Sequence, residues 1–96
     1  MNAKQKTSML LLMDLLIEAI EASGDRGIPE GHIYAAVMSK VELSVFQGVI
    51  DSFVEQGNVT RTNHLLKLTE KGKKHAENLH VIAKELMKAL GKGDLT

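Results

Sequence analysis

The fold is decided by residues 49–74, which read VIDSFVEQGNVTRTNHLLKLTEKGKK. The first part completes an amphipathic helix over residues 43–56, because apolar side chains recur there at three- and four-residue spacing and Gly57 is a typical C-terminal cap. Residues 58–69 then change to the composition of a small β-hairpin with a tight tip. The stretch therefore predicts a helix, a hairpin and a further helix over residues 70–90.

The preceding residues extend this order towards the N-terminus. We expect residues 1–7 to be flexible and residues 8–23 to form the first helix, which is rich in Leu, Met, Ile, Glu and Ala. Pro29 is predicted to open a second helix, since a missing N–H costs nothing at that position. The expected fold class is mainly α with a small β-hairpin (α+β), in a single domain over residues 1–96.

The composition excludes several classes of protein. The chain has 96 residues, of which 44% are hydrophobic and 25% charged, as expected for one globular domain. It has no cysteine, which excludes a disulfide scaffold, a Cys-ligated metal centre and a thiol nucleophile. One proline and three aromatic residues argue against a turn-rich β-sandwich.

Neither catalysis nor a cofactor is predicted. The chain has no phosphate-binding glycine motif, no HExxH and no GxSxG. His75 and His80 are five residues apart and do not share a helix face. Glu77 and His80 do share one, but two ligands from one chain do not complete a metal site. We therefore expect no enzymatic activity, no cofactor and no metal.

The apolar stretch Met9–Met13 is the only segment that resembles a signal or membrane sequence. It is interrupted by Asp14 and Glu18, and it is shorter than the roughly 20 residues that a bilayer requires. The sequence therefore predicts a cytoplasmic protein without membrane contact.

The terminal helices carry more apolar surface than one small core can cover. The first helix is apolar nearly all round, and the last has an apolar seam of under two heptads. We therefore expect a homodimer in which these two helices pair across a two-fold axis. Its interface candidates are Leu12, Leu16, Leu79, Ile82, Leu86 and Leu90.

Two segments resemble the winged helix-turn-helix domain of small bacterial regulators such as those like MarR and PadR. Residues 49–59 look like the end of a recognition helix leading into the wing, and Leu68-Thr69-Glu70-Lys71-Gly72 matches the LTEKG signature that follows the wing. The resemblance covers about residues 8–90. It implies a helix-turn-helix over 29–57, a wing over 58–69 and a C-terminal dimerisation helix.

The resemblance also implies a function, namely a small dimeric DNA-binding protein that regulates transcription. The third helix would lie in the major groove, where Gln47 could read adenine, and the wing would touch the backbone, with Arg61 reading guanine or a narrow minor groove. Lys40 and Lys71 would reach phosphates. The implied DNA contacts are Lys40, Ser44, Gln47, Gly48, Asp51, Ser52, Arg61, Asn63, His64, Lys67 and Lys71.

The charge distribution leaves an alternative open. Residues 14–55 carry eight acidic and two basic side chains, whereas residues 56–96 carry eight basic and four acidic ones. The third helix has no Lys or Arg and carries Asp51 and Glu55, although DNA affinity depends mainly on cations that neutralise phosphates. A winged helix used as a protein-interaction module, without DNA binding, is the alternative.

Overall fold

The computed structural model describes residues 2–91, which form four α-helices, a short 3-10 turn and a small sheet. This confirms the predicted α+β class. None of the helices within this range is long and apolar enough to cross a membrane. The elements are α1 (Ala3–Ala22), the 3-10 turn (Gly24–Arg26), β1 (Ile28–Pro29), α2 (Glu30–Val37), α3 (Leu43–Glu55), β2 (Val59–Thr62), β3 (Leu65–Leu68) and α4 (Glu70–Gly91).

The sheet has three antiparallel strands in the order β1-β3-β2, where the sequence predicted only a hairpin. Ile28 pairs with Leu66 and Pro29 with Leu65, so β1 covers the otherwise free edge of β3. Pro29 is the last residue before α2 and has an extended backbone, with φ −60° and ψ 134°. The prediction that Pro29 lies within the second helix is corrected: a two-residue strand is too short to show a periodicity, and proline suits an edge strand.

The hairpin turns over two residues, Asn63 and His64, which join β2 to β3. Both have positive φ, 51° and 65°, as the central residues of a type I′ turn do. Thr62 pairs with Leu65 across the turn. The predicted tight tip is therefore present, and His64 exposes 88% of its side chain there.

Helix α1 begins at Ala3, so the prediction of a flexible segment over residues 1–7 is wrong for residues 3–7. Asn2 caps the helix: its Oδ1 accepts a hydrogen bond from Gln5 N at 2.8 Å, and Gln5 Oε1 accepts one from Asn2 N at 3.1 Å. This reciprocal capping box satisfies backbone donors that would otherwise be free. Met1 lies outside the described residues.

One hydrophobic core holds the helices against the sheet. Its largest fully buried side chains come from α1, α3 and the two hairpin strands. They are Leu16, Ile17, Ile20, Phe46, Ile50, Phe53, Val59 and Leu66. Helix α4 closes the core with Ala76, Leu79 and Ala83.

Helices α1 and α4 therefore pack against each other within one chain. Leu16 and Leu79, predicted as contacts between two copies, are 0% and 4% exposed and belong to this core. The prediction is corrected for these two residues, since the sequence alone did not show that the terminal helices meet. Leu12 is partly buried against the core, Leu86 is half-buried, and Ile82 and Leu90 remain exposed.

The LTEKG segment forms the junction between the hairpin and α4. Thr69 Oγ1 donates towards Gly57 O at 2.7 Å and accepts a hydrogen bond from Gly72 N at 2.9 Å, so it caps α4. A Cβ on Gly72 would overlap the carbonyl oxygen of Asn58, which is itself buried. The glycine is thus required because α4 passes directly against the backbone that leads from α3 into β2.

Candidate nucleic-acid interface

Helix α3 presents a polar outer face because its inner face is held in the core. Phe46, Ile50 and Phe53 are buried at 0–1% exposure and fix the rotation of the helix. The opposite face carries exposed side chains of modest size. These are Ser44, Gln47, Gly48 and Asp51, all of them predicted DNA contacts; Ser52, at the edge of this face, is half-buried.

Helix α2 packs against α3 and the connector that precedes it. The rings of Tyr34 and Phe46 lie 5.0 Å apart between centroids, and Tyr34 OH donates to Val41 O in the connector at 3.3 Å. These contacts fix the angle between α2 and α3.

The hairpin tip lies on the same side of the molecule as the outer face of α3. Gln47 of α3 and His64 of the tip line one shallow cleft together with Glu30 and Tyr34 of α2. The backbone also fixes the tip, since Glu30 N donates to His64 O at 2.8 Å. The fold therefore brings Gln47 of α3 and His64 of the hairpin, both predicted DNA contacts, to one surface.

Arg61 of the hairpin strand β2 connects α2 and α3 through two ion pairs. Its Nη2 lies 2.8 Å from Glu30 Oε1 of α2 and 2.9 Å from Asp51 Oδ1 of α3. The hydrogen bond that Arg61 donates to Asp51 raises the pKa of Arg61; burial opposes the increase, and the hydrogen bond to Glu30 adds to it. Only 29% of the Arg61 side chain is exposed. The sequence predicted a cation that reads DNA, whereas the structure places it in a bridge between carboxylates.

Replacing Arg61 with Met is expected to lower the free energy of unfolding by about 1–2 kcal/mol. The Glu30 side chain, 17% exposed, would lose its charged partner. Urea denaturation measures the effect, with the exposed Arg26→Met as the control, expected to change stability by less than about 0.5 kcal/mol. Equal effects of the two substitutions would contradict the bridge.

Lys71, a predicted phosphate contact, belongs to the first turn of α4, and its side chain reaches the C-terminal end of α3. Its Nζ donates to Gln56 O at 2.6 Å, where a cation also interacts favourably with the helix dipole. Lys40 and Lys67 are different: both are exposed, and neither forms an ion pair within residues 2–91. Unlike Arg61 and Lys71, these two cations beside α3 and the hairpin have neither an ion-pair partner nor a side-chain hydrogen-bond partner in that range.

Two further features were missed at the sequence level. Lys4 at the start of α1 lines a mainly apolar groove with Lys40, beside the first turn of α3. Leu43 and Val45, in that first turn, are 48% and 37% exposed, and Met38 in the connector is 60% exposed. The amphipathic pattern of α3, which already places Val45 on the exposed face, offered the same signal for Leu43, because both residues fall outside its apolar stripe.

No protein-family model matches the chain, and neither a curated protein nor a solved structure matches it. The role of this surface is inferred from its own residues.

Proposed function

We propose that the protein is a small winged-helix protein that binds duplex DNA through α3 and the β2–β3 hairpin and regulates transcription. One observation carries the proposal. The element order and the strand order β1-β3-β2 bring the polar outer face of α3 and the hairpin tip to one surface. In a winged helix these are the two parts that meet DNA, the helix in the major groove and the wing against the neighbouring backbone.

The side chains on this surface suit direct contact with base edges. An α-helix fits the major groove, and Gln47 carries an amide that can pair with adenine through two hydrogen bonds. Gly48 has open space where a Cβ would stand, so the helix backbone can approach the bases closely. Ser44 and Asn63 are exposed and add short hydrogen-bonding groups at either end of the surface.

The available cations set the strength of binding. Arg61 and Lys71 are held by protein groups, which leaves Lys40 and Lys67, with Lys4 at the edge, to neutralise phosphates. Each neutralised phosphate contributes about −0.9 to the slope of log K against log salt. We therefore expect weak binding per chain and a slope of about −2 to −3 per chain.

Titration of a labelled duplex by fluorescence anisotropy between about 20 and 200 mM salt tests this proposal. Lys40→Gln and Lys67→Gln should each reduce the magnitude of the slope by about 1. The control is Lys88→Gln, on α4, where the lysine pairs with Glu85 at 3.7 Å. Absence of binding at the lowest salt would refute DNA binding by this protein.

A homodimer would place two such surfaces on one DNA. Ile82, Leu86 and Leu90 are spaced four residues apart along one side of α4, and the first and last are 43% and 39% exposed. A two-fold contact along this stripe would cover it, and copies of α3 about 34 Å apart would match successive major grooves.

Sedimentation at micromolar concentration is expected to give a species of twice the 10.5 kDa chain mass. Ile82→Glu with Leu90→Glu should convert it to monomer without loss of helix content, because both side chains are exposed within one chain. Val81→Glu is the control: Val81 is 62% exposed but lies on a different side of α4. A monomer in the unsubstituted protein would contradict the dimer.

A second candidate function is a protein-interaction module, and the exposed Met38, Leu43 and Val45 favour it. Leu43→Lys separates the two functions. It adds a cation at the start of α3, which should strengthen DNA binding, and it removes an apolar contact, which should weaken association with a protein partner. Unchanged DNA affinity, together with loss of a partner in a pull-down, would favour the interaction module.

A further inference from the structure

A second cluster of chemically active side chains lies between α1 and α4, outside the DNA-binding surface. Asp14 and Glu18 are four residues apart and therefore share one face of α1. His80 of α4 faces both: its Nδ1 is 2.8 Å from Glu18 Oε1 and 3.9 Å from Asp14 Oδ2. One potential ligand atom from each residue lies within 4.8 Å of the others.

Asp14 is the unusual member of this cluster. The residue is only 8% exposed, and its Oδ1 is buried and accepts no hydrogen bond from any residue between 2 and 91. A buried carboxylate without hydrogen bonds is costly unless a cation compensates it. Glu18 beside it is also acidic. Lys84 lines the same groove, but the one basic group within 4.0 Å of Asp14 in that range is His80, which is 3.9 Å away and carries charge only when protonated. A bound metal cation, whose charge does not depend on protonation, would compensate the buried Asp14 carboxylate.

We propose that Asp14, Glu18 and His80 bind one divalent transition-metal ion per chain, with Zn²⁺ as the preferred ion. Two carboxylate oxygens and one imidazole nitrogen form a three-ligand protein set for Zn²⁺, and water completes the coordination. Mn²⁺, Co²⁺ and Ni²⁺ accept the same donors, whereas Mg²⁺ disfavours imidazole.

The cluster needs only small adjustments to hold such an ion. Ligand bonds of about 2.0–2.2 Å place ligand atoms roughly 3–3.5 Å apart. His80 Nδ1 now lies 2.8 Å and 3.9 Å from the two carboxylates, and the three candidate atoms all lie within 4.8 Å of one another. Glu18 and His80 are 42% and 53% exposed, so both side chains have room to adjust and water can reach the ion. Asp14 would supply the buried, fixed ligand.

The sequence did not predict this cluster, because its residues come together only when α1 packs against α4. On α4 alone, His80 has only Glu77 on its face, and the sequence therefore predicted no metal site. The two other ligands come from α1, more than sixty residues earlier in the chain. An ion at this position would join α1 to α4 and would bind the folded chain in preference to the unfolded one, so it would stabilise the fold.

The test uses the untagged full-length protein after treatment with a chelator. Titration calorimetry with Zn²⁺ should give one ion per chain, and the melting temperature should rise by on the order of 10 °C when free Zn²⁺ exceeds the Kd about a hundredfold. Mg²⁺ at the same concentration should give no comparable rise. Absence of binding of Zn²⁺, Mn²⁺, Co²⁺ and Ni²⁺ would overturn the proposal.

Two variants distinguish a metal site from a simple ion pair. His80→Lys keeps a cation beside Asp14 and Glu18 but has no free lone pair to donate to a metal, so it should melt like the metal-free protein and lose the Zn²⁺-dependent rise. Asp14→Asn should also lose the rise. His32→Gln, at an exposed histidine, should retain it. An unchanged rise in His80→Lys, or its loss in His32→Gln, would show that the ion binds elsewhere.

Discussion

Replacing Gly72 with Ala is expected to lower the free energy of unfolding by about 3 kcal/mol or more, a larger loss than Arg61→Met should cause. A Cβ at this position overlaps the carbonyl oxygen of Asn58 and would lie 2.9 Å from both Asn58 C and Leu68 Cδ1. The obstacle is mainly backbone, and that backbone is fixed: Asn58 O already accepts a hydrogen bond from Thr69 N at 3.0 Å.

The matched control is Gly48→Ala. Gly48 also lies in a helix, but nothing stands within 4 Å of its Cβ position, so alanine there should raise stability by about 0.5–1 kcal/mol. Urea denaturation of the two variants should therefore give changes of opposite sign. Equal, small changes would show that α4 does not pass against Asn58 as described.

Replacing Asp51 with Lys is expected to raise the affinity for duplex DNA by about 10- to 100-fold at 0.1 M salt. The substitution removes a negative charge from the outer face of α3, adds a cation there and releases Arg61 from one of its two carboxylates. Each additional phosphate contact contributes about tenfold at this salt concentration. Anisotropy titration at several salt concentrations should also show a steeper slope.

Glu85→Lys is the control for this charge change. It alters the net charge of the protein equally but lies on α4, about fifteen residues and roughly 22 Å of helix beyond the hairpin junction. We expect its effect on affinity to be less than about threefold, because exposed charges separated by more than a Debye length are largely screened. Comparable gains from both substitutions would mean that α3 has no special place in binding.

Much of the fold could be predicted because its signals are local. The periodicity of α3, the turn residues at Asn63 and His64, and Thr69 as the cap of α4 each act within a few residues. Strand β1 was missed because two residues show no period, and its partner β3 lies almost forty residues away. The early start of α1 was missed although its Asn2–Gln5 capping box is a local signal.

The candidate site was harder to predict, because a sequence shows which residues are charged but not what neutralises them. Arg61 and Lys71 were expected to face DNA, and the structure gives them Glu30, Asp51 and Gln56 as partners. Glu30 is thirty-one residues from Arg61, so no spacing rule connects them. The cluster on α1 and α4 was missed for the same reason.

Titration of ¹⁵N-labelled protein with a short duplex, followed by amide chemical shifts, tests most directly whether the outer face of α3 and the β2–β3 hairpin form one DNA-binding surface. We predict that shift changes concentrate in residues 43–52 and 62–67 and that residues 80–91 of α4 stay close to their free positions. Changes confined to α4, or no changes at equimolar DNA and low salt, would contradict a DNA-binding surface on α3 and the hairpin.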